Sequence, residues 1–119
     1  MGRFGEALAL KYLAGKGYSH VAKNFTIRGG ELDLILKKDG ILVFVEVKSR
    51  WSSRFGEAEE SLTHAKKQKL LRSIFTFLDR NRGTDGRKIF PRWRCDLIAI
   101  QFINPRTARI KHLVDIFHD

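Results

Sequence analysis

The chain has 119 residues, 43% of them hydrophobic and 30% charged, with 23 Lys and Arg against 13 Asp and Glu for a net charge of +10. Those values exclude a disordered chain, and the length predicts one domain over residues 1–119 that buries a core without disulfide or metal staples. The lone Cys95, the missing signal-peptide pattern and the absence of an 18-residue apolar run make a soluble, reduced, cytoplasmic protein with no membrane association the expectation, and nucleic acid the polyanion that a basic surface attracts.

Residues 3–14, RFGEALALKYLA, predict a helix with Phe4, Leu8 and Tyr12 on one face, stopped by Gly15 and Gly17. Residues 20–27, HVAKNFTI, read as a strand, and Gly29-Gly30 allows a bend after it. Two apolar strands then flank Asp39-Gly40, a dipeptide suited to a two-residue type I′ hairpin turn. Thr63 is the expected N-cap of a helix over 63–80, with Leu70, Leu71, Ile74, Phe77 and Leu78 as its apolar stripe. Residues 83–92 read as a polar loop, 93–103 as a strand, 104–107 as a turn and 108–117 as a last strand. The order α-β-β-β-α-β-β predicts an α/β domain with a mixed sheet flanked by helices.

The type I′ turn sets the hairpin register. It pairs Lys38 with Ile41, Leu36 with Val43, Leu34 with Val45 and Leu32 with Val47 on an apolar face expected to be the core side. On the other face it opposes Ile35 to Phe44, Asp33 to Glu46 and Glu31 to Lys48. Two carboxylates so opposed, about 5 Å apart, repel by about 3 kcal/mol at an effective dielectric near 20. Two arrangements relieve that: one carboxyl keeps its proton, or a hard divalent cation such as Mg²⁺ lies between them. A carboxylate-bound cation on a polycationic domain points to phosphodiester hydrolysis. Lys48 shares the face of Glu46 and is placed to orient water or offset developing charge.

Asp33 followed by Glu46-Val47-Lys48 resembles the PD-(D/E)-X-K signature of the restriction-endonuclease-like nucleases, although Leu32 stands where that motif has proline. More closely, GRFGEALALKYLAGKGY, GELDLI, VFVEVKSR and RCDLIAI resemble the small bacterial YraN-type family, whose structural kin are archaeal Holliday-junction resolvases. The resemblance covers nearly the whole chain. It implies a three-layer fold with a central mixed sheet, a Mg²⁺- or Mn²⁺-dependent endonuclease acting on DNA, including branched DNA, and a homodimer where junction cleavage is symmetric. It also implies Asp33, Glu46, the Val47 carbonyl and Glu6 as metal ligands, and Lys48 as the catalytic amine.

Arg50, Arg54, Lys66 and Lys69 follow the motif or open the second helix, and are candidate phosphate contacts. Trp51 is a candidate for stacking on an unpaired base, or for packing. Glu31 is expected to pair with Lys48, and Asp96 to support the sheet. The four histidines lack zinc spacing, and no phosphate-cradling glycine motif appears, so no small-molecule cofactor is expected. The alternative reading is a nucleic-acid-binding module that keeps the fold without cleaving and serves a repair or processing complex.

Overall fold

A computed structural model describes residues 2–51, 62–83 and 92–117. Helix α1 (Gly2–Ala14) is followed by strands β1 (Ser19–Ile27), β2 (Gly30–Lys38) and β3 (Ile41–Trp51). Helix α2 (His64–Arg80) then leads to β4 (Trp93–Asn104) and β5 (Thr107–Leu113). The strands form one sheet in the order β1-β2-β3-β4-β5, antiparallel except for the parallel pair β3–β4. A parallel pair needs a crossover, and α2 lies within it. Among the described residues no helix is long and apolar enough to cross a membrane.

Asp39 and Gly40 both have positive φ, 52° and 76°, as a type I′ turn requires. The resulting register pairs Lys38 with Ile41 and runs to Leu34 with Val45, as the turn chemistry predicts. Both faces of this hairpin are buried, whereas the sequence pattern assigned the core to one. Leu34, Leu36, Val43 and Val45 pack under α1 with Ala9, Leu13, Ile98 and Ile100. Ile35, Leu42 and Phe44 pack under α2 with Leu70, Ile74 and Phe77. The sheet is thus the middle of three layers.

On α1 Ala9 and Leu13 are fully buried, Leu8 and Tyr12 pack partly buried against the same core, and Phe4 is 58% exposed. The helix can lie this close because a Cβ at Gly5 would collide with the Ser49 hydroxyl. The last strand ends at Leu113 rather than 117. Asp115, at φ 59°, turns the chain back, so its amide donates to Asp96 Oδ1 at 2.9 Å and the Ile116 amide donates to the Cys95 carbonyl at 2.7 Å.

Candidate functional site

Residues two apart on a strand normally share a face. Leu34 belongs to the α1-side core and Leu32 to the α2-side core, so β2 turns over at Asp33. The partner strand breaks at the same level. Asn24 lies between Lys23, opposite Leu34, and Phe25, opposite Leu32, and has φ 50°, a left-handed conformation that Asn tolerates better than most residues. The hairpin ladder accordingly stops at Leu34–Val45, and the expected register pairs Asp33–Glu46, Leu32–Val47 and Glu31–Lys48 are not made. The Asp33 carboxylate fills the gap: its Oδ2 accepts the Val47 amide N–H at 2.8 Å.

Asp33 and Glu46 share a side-chain hydrogen bond. Burial, that hydrogen bond and the Asp33 charge push the Glu46 carboxyl up to about 9, with Lys48 opposing and Glu31 adding to the shift. At neutral pH Glu46 therefore keeps its proton, the first of the two expected solutions. The raised value means that the folded chain keeps this proton across a window where the unfolded chain has released it. Its contribution to stability is complete below about 4.5 and is lost as pH rises toward about 9. Within that window the slope approaches about 1.4 kcal/mol per pH unit. Glu46→Gln should flatten it, which urea midpoints at acid, neutral and alkaline pH will show.

The same geometry separates two substitutions at Asp33. Asparagine keeps an oxygen for the Val47 N–H and can donate its amide to Glu46. Alanine leaves a part-buried amide without a partner, at a cost of about 1–3 kcal/mol. Asp33→Asn should melt close to wild type and Asp33→Ala clearly lower, in chelator, by circular dichroism.

Glu31, Glu46 and Lys48 line an open cleft of about 200 Å³ with Gly30, Leu62, Lys66, Lys69 and Leu70. Its far wall is the first turns of α2, whose Thr63 hydroxyl caps the Lys66 amide at 3.3 Å, as predicted. Lys66 and Lys69 thus share the cleft with Glu46. Arg50 lies four residues beyond Glu46 on β3 and pairs in register with Gln101. Arg54 lies outside the described residues.

Glu6 is hydrogen-bonded to Asn24. Asn24 Nδ2 donates to Glu6 Oε1 at 2.9 Å and to Glu31 Oε1 at 3.3 Å, so one amide bridges the two glutamates. Among the described residues, no three His, Cys, Asp or Glu side chains are gathered as a metal ion would gather them. Asp33 and Glu46 nevertheless suit a hard divalent cation. They converge on a point that retains a positive particle at neutral pH, and a cation there would displace the proton. Sequence reasoning missed Asn24, whose one signal was an Asn inside a strand run, a residue type depleted in strands.

Asp96 is fully buried on the α1 side and serves the fold. It accepts from Arg94 Nε at 3.0 Å and Nη2 at 3.2 Å, and lies 2.7 Å from His112 Nε2. Arg94 also donates to the Tyr18 hydroxyl at 2.8 Å. Trp51 is 57% exposed, and its ring lies against Phe102, 5.4 Å between centroids.

The family model described as uncharacterised protein family UPF0102 matches residues 5–100, a span holding Glu6, Asp33, Glu46 and Lys48. The chain is 38% identical over 117 residues to a UPF0102 protein of Syntrophomonas wolfei, covering 98% of this chain and 96% of that protein. It is 37% identical over 114 residues to a UPF0102 protein of Legionella pneumophila, with 96% and 93% covered. A UPF0102 protein of Clostridium perfringens is 35% identical over 119 residues, with 98% and 93% covered.

Proposed function

We propose that this chain, which belongs to the UPF0102 family, binds DNA and hydrolyses its phosphodiester bonds at Asp33, Glu46 and Lys48 with Mg²⁺ or Mn²⁺. The observation that carries the reading is the convergence of the Asp33 and Glu46 carboxyls at a break in the hairpin, with Glu46 on a cleft that Lys48, Lys66 and Lys69 line together with Glu31. A sheet gains nothing in packing from this arrangement, and anionic phosphate meets cations there on two sides. The helix–sheet–helix layering, with the acidic pair on β2 and β3, supports a restriction-endonuclease-like fold. Function still rests on the site and not on the fold.

Asp33, Glu46 and the Val47 carbonyl would hold the cation, which when bound polarises a phosphate oxygen and acidifies water. The chain's own residues do the rest. Asp33 is fixed by the Val47 amide, so it does not swing when DNA enters. Lys48 follows Glu46 by two residues on the same face, where its ammonium orients water and offsets charge developing on the phosphate. Lys66 and Lys69 clamp the backbone from α2. Symmetric cleavage of a branched junction needs two copies, so a homodimer belongs to this proposal.

One observation favours the non-cleaving module as a second reading: Glu6 is engaged by Asn24 instead of completing the acidic group. The test is a panel of labelled linear, nicked, flapped and four-way DNAs with Mg²⁺ and then Mn²⁺, wild type beside Lys48→Ala. Cleavage by wild type alone supports the hydrolase. Binding without cleavage of any substrate by either protein supports the module.

A further inference from the structure

A second pocket, of about 390 Å³, opens on the α1 side of the sheet, between α1 and the edge strand β1. Its volume lies in the range of small-molecule pockets, roughly 300–1,000 Å³. Arg3, Glu6, Ala7 and Leu10, spaced i, i+3, i+4 and i+7, present one helix face to it. Across from them stand Lys23 and Asn24, with Leu34, the register partner of Lys23, buried beneath. Above Leu34 the lining is accessible: Arg3, Ala7, Lys23 and Asn24 are exposed, and Glu6 and Leu10 half-buried.

Asn24 sets what the pocket offers. Its side-chain amide has two N–H groups, and Nδ2 donates to Glu6 Oε1 at 2.9 Å and to Glu31 Oε1 at 3.3 Å. The amide cannot turn over without losing those bonds, so what remains for an occupant is its Oδ1 acceptor. The Glu6 carboxylate adds Oε2. Neither oxygen has a donor among the described residues. The Arg3 and Lys23 side chains make no hydrogen bond or ion pair among the described residues either. Acceptors, a small apolar wall of Ala7 and Leu10, and two cations thus meet in one concavity.

An occupant must bring donors to the two oxygens and an anion to the two cations. An apolar molecule leaves the acceptors unmet. A polyamine meets Arg3 and Lys23 as like charges, and a bare phosphate meets the Glu6 carboxylate as one. A nucleotide brings both groups. Among the bases guanine alone sets two donors side by side, its N1–H and its N2 amine, which reach one carboxylate together. Adenine and cytosine place a ring-nitrogen acceptor beside the amine, and thymine flanks its one N–H with carbonyls. We infer that this pocket binds a guanine nucleotide, the base edge on Glu6 and Asn24 and the phosphate on Arg3 and Lys23. Asn24 also ties the pocket to the candidate site, because Glu31, its second acceptor, lines the cleft that holds Glu46. An unpaired guanine, swung past the β1 edge from a strand in that cleft, fits this continuity, and that source rests on the proposed function. A free mononucleotide is the other source of the same chemistry.

The test measures binding in chelator at low salt, with melts recorded for each protein. One arm uses labelled DNA hairpins of a single stem that carry one unpaired guanine, hypoxanthine, adenine, cytosine or thymine. The other uses the corresponding deoxynucleoside 5′-monophosphates, by calorimetry. Wild type should bind guanine about tenfold or more tightly than adenine or cytosine, the discrimination that a bidentate pair gives. Hypoxanthine, which lacks the N2 amine, should fall between. Glu6→Gln should lose the preference, because an amide sets a donor against a donor. Ala7→Leu, at an exposed helix position, fills the pocket and should lose it too with Glu6 intact. Arg3→Ala with Lys23→Ala should weaken every mononucleotide alike and keep the ranking.

A guanine preference among the hairpins assigns the pocket to a strand, and one confined to the mononucleotides assigns it to free nucleotide. No guanine preference in either arm overturns the inference, as does a preference that Glu6→Gln and Ala7→Leu both leave unchanged. Wild type that binds no hairpin at low salt overturns the proposed function, and the mononucleotide arm then decides this inference by itself.

Discussion

Lys48→Ala is expected to lower metal-dependent cleavage by about 10²–10³-fold, the usual cost of losing one preorganised charge at a reacting phosphate. DNA affinity should fall far less, because Lys66 and Lys69 remain in the cleft. Asp33→Asn and Glu46→Gln should lose at least as much, since each neutralises one of the two carboxylates that a divalent cation needs. Val47→Ala is the informative control. What Val47 offers the site is main chain, an amide held by Asp33 and a carbonyl, so its side chain should be dispensable for cleavage apart from a modest packing loss. Single-turnover rates at saturating DNA separate these cases. A Lys48→Ala rate within threefold of wild type would remove the amine from the mechanism.

Asp96→Ala is expected to produce the largest loss of stability, about 3–5 kcal/mol, because it strands a part-buried Arg94 guanidinium and undoes the network that pins the end of the chain. Asp96 accepts from Arg94 and the Asp115 amide and contacts His112, joining β4, β5 and the segment after β5. Burial alone would raise its carboxyl. Hydrogen bonds with His112, Arg94 and the Asp115 backbone outweigh that and hold it below the usual carboxylate range. A depressed value gives stability that is present above the unfolded value near 3.8 and lost as pH falls through the folded one. Wild type should therefore lose stability steeply in acid, and Asp96→Asn should begin lower and lose less of it there. Chemical denaturation across the acid range measures both. If Asp96→Ala costs under 1 kcal/mol, the network does not hold this end of the fold.

The element order and the hairpin register were legible because both depend on local chemistry: a positive-φ Asp-Gly turn, a Thr cap and apolar periods. The pairing of Asp33 and Glu46 followed from that register, although the ladder that was to oppose them ends one pair short. What stayed hidden was tertiary. Asn24 breaks β1 opposite Asp33, and a single strand cannot announce what its partner does. Gly5 lets α1 approach Ser49, and helical period alone does not register close approach. Glu31 accepts from the Asn24 amide, a contact that depends on where β1 breaks.

In the proposed site Glu46 keeps a proton beside Asp33 that a divalent cation would displace. Calorimetric titration of Mn²⁺ into the metal-free protein near neutral pH, repeated in buffers of different ionisation enthalpy, counts the protons released. About one proton per bound cation is predicted for wild type near neutral pH, falling to about half near pH 9 and toward none above it as Glu46 ionises by itself, with no release and weakened binding in Glu46→Gln. Binding that releases no proton at neutral pH, or that is equally strong in Glu46→Gln, would contradict it.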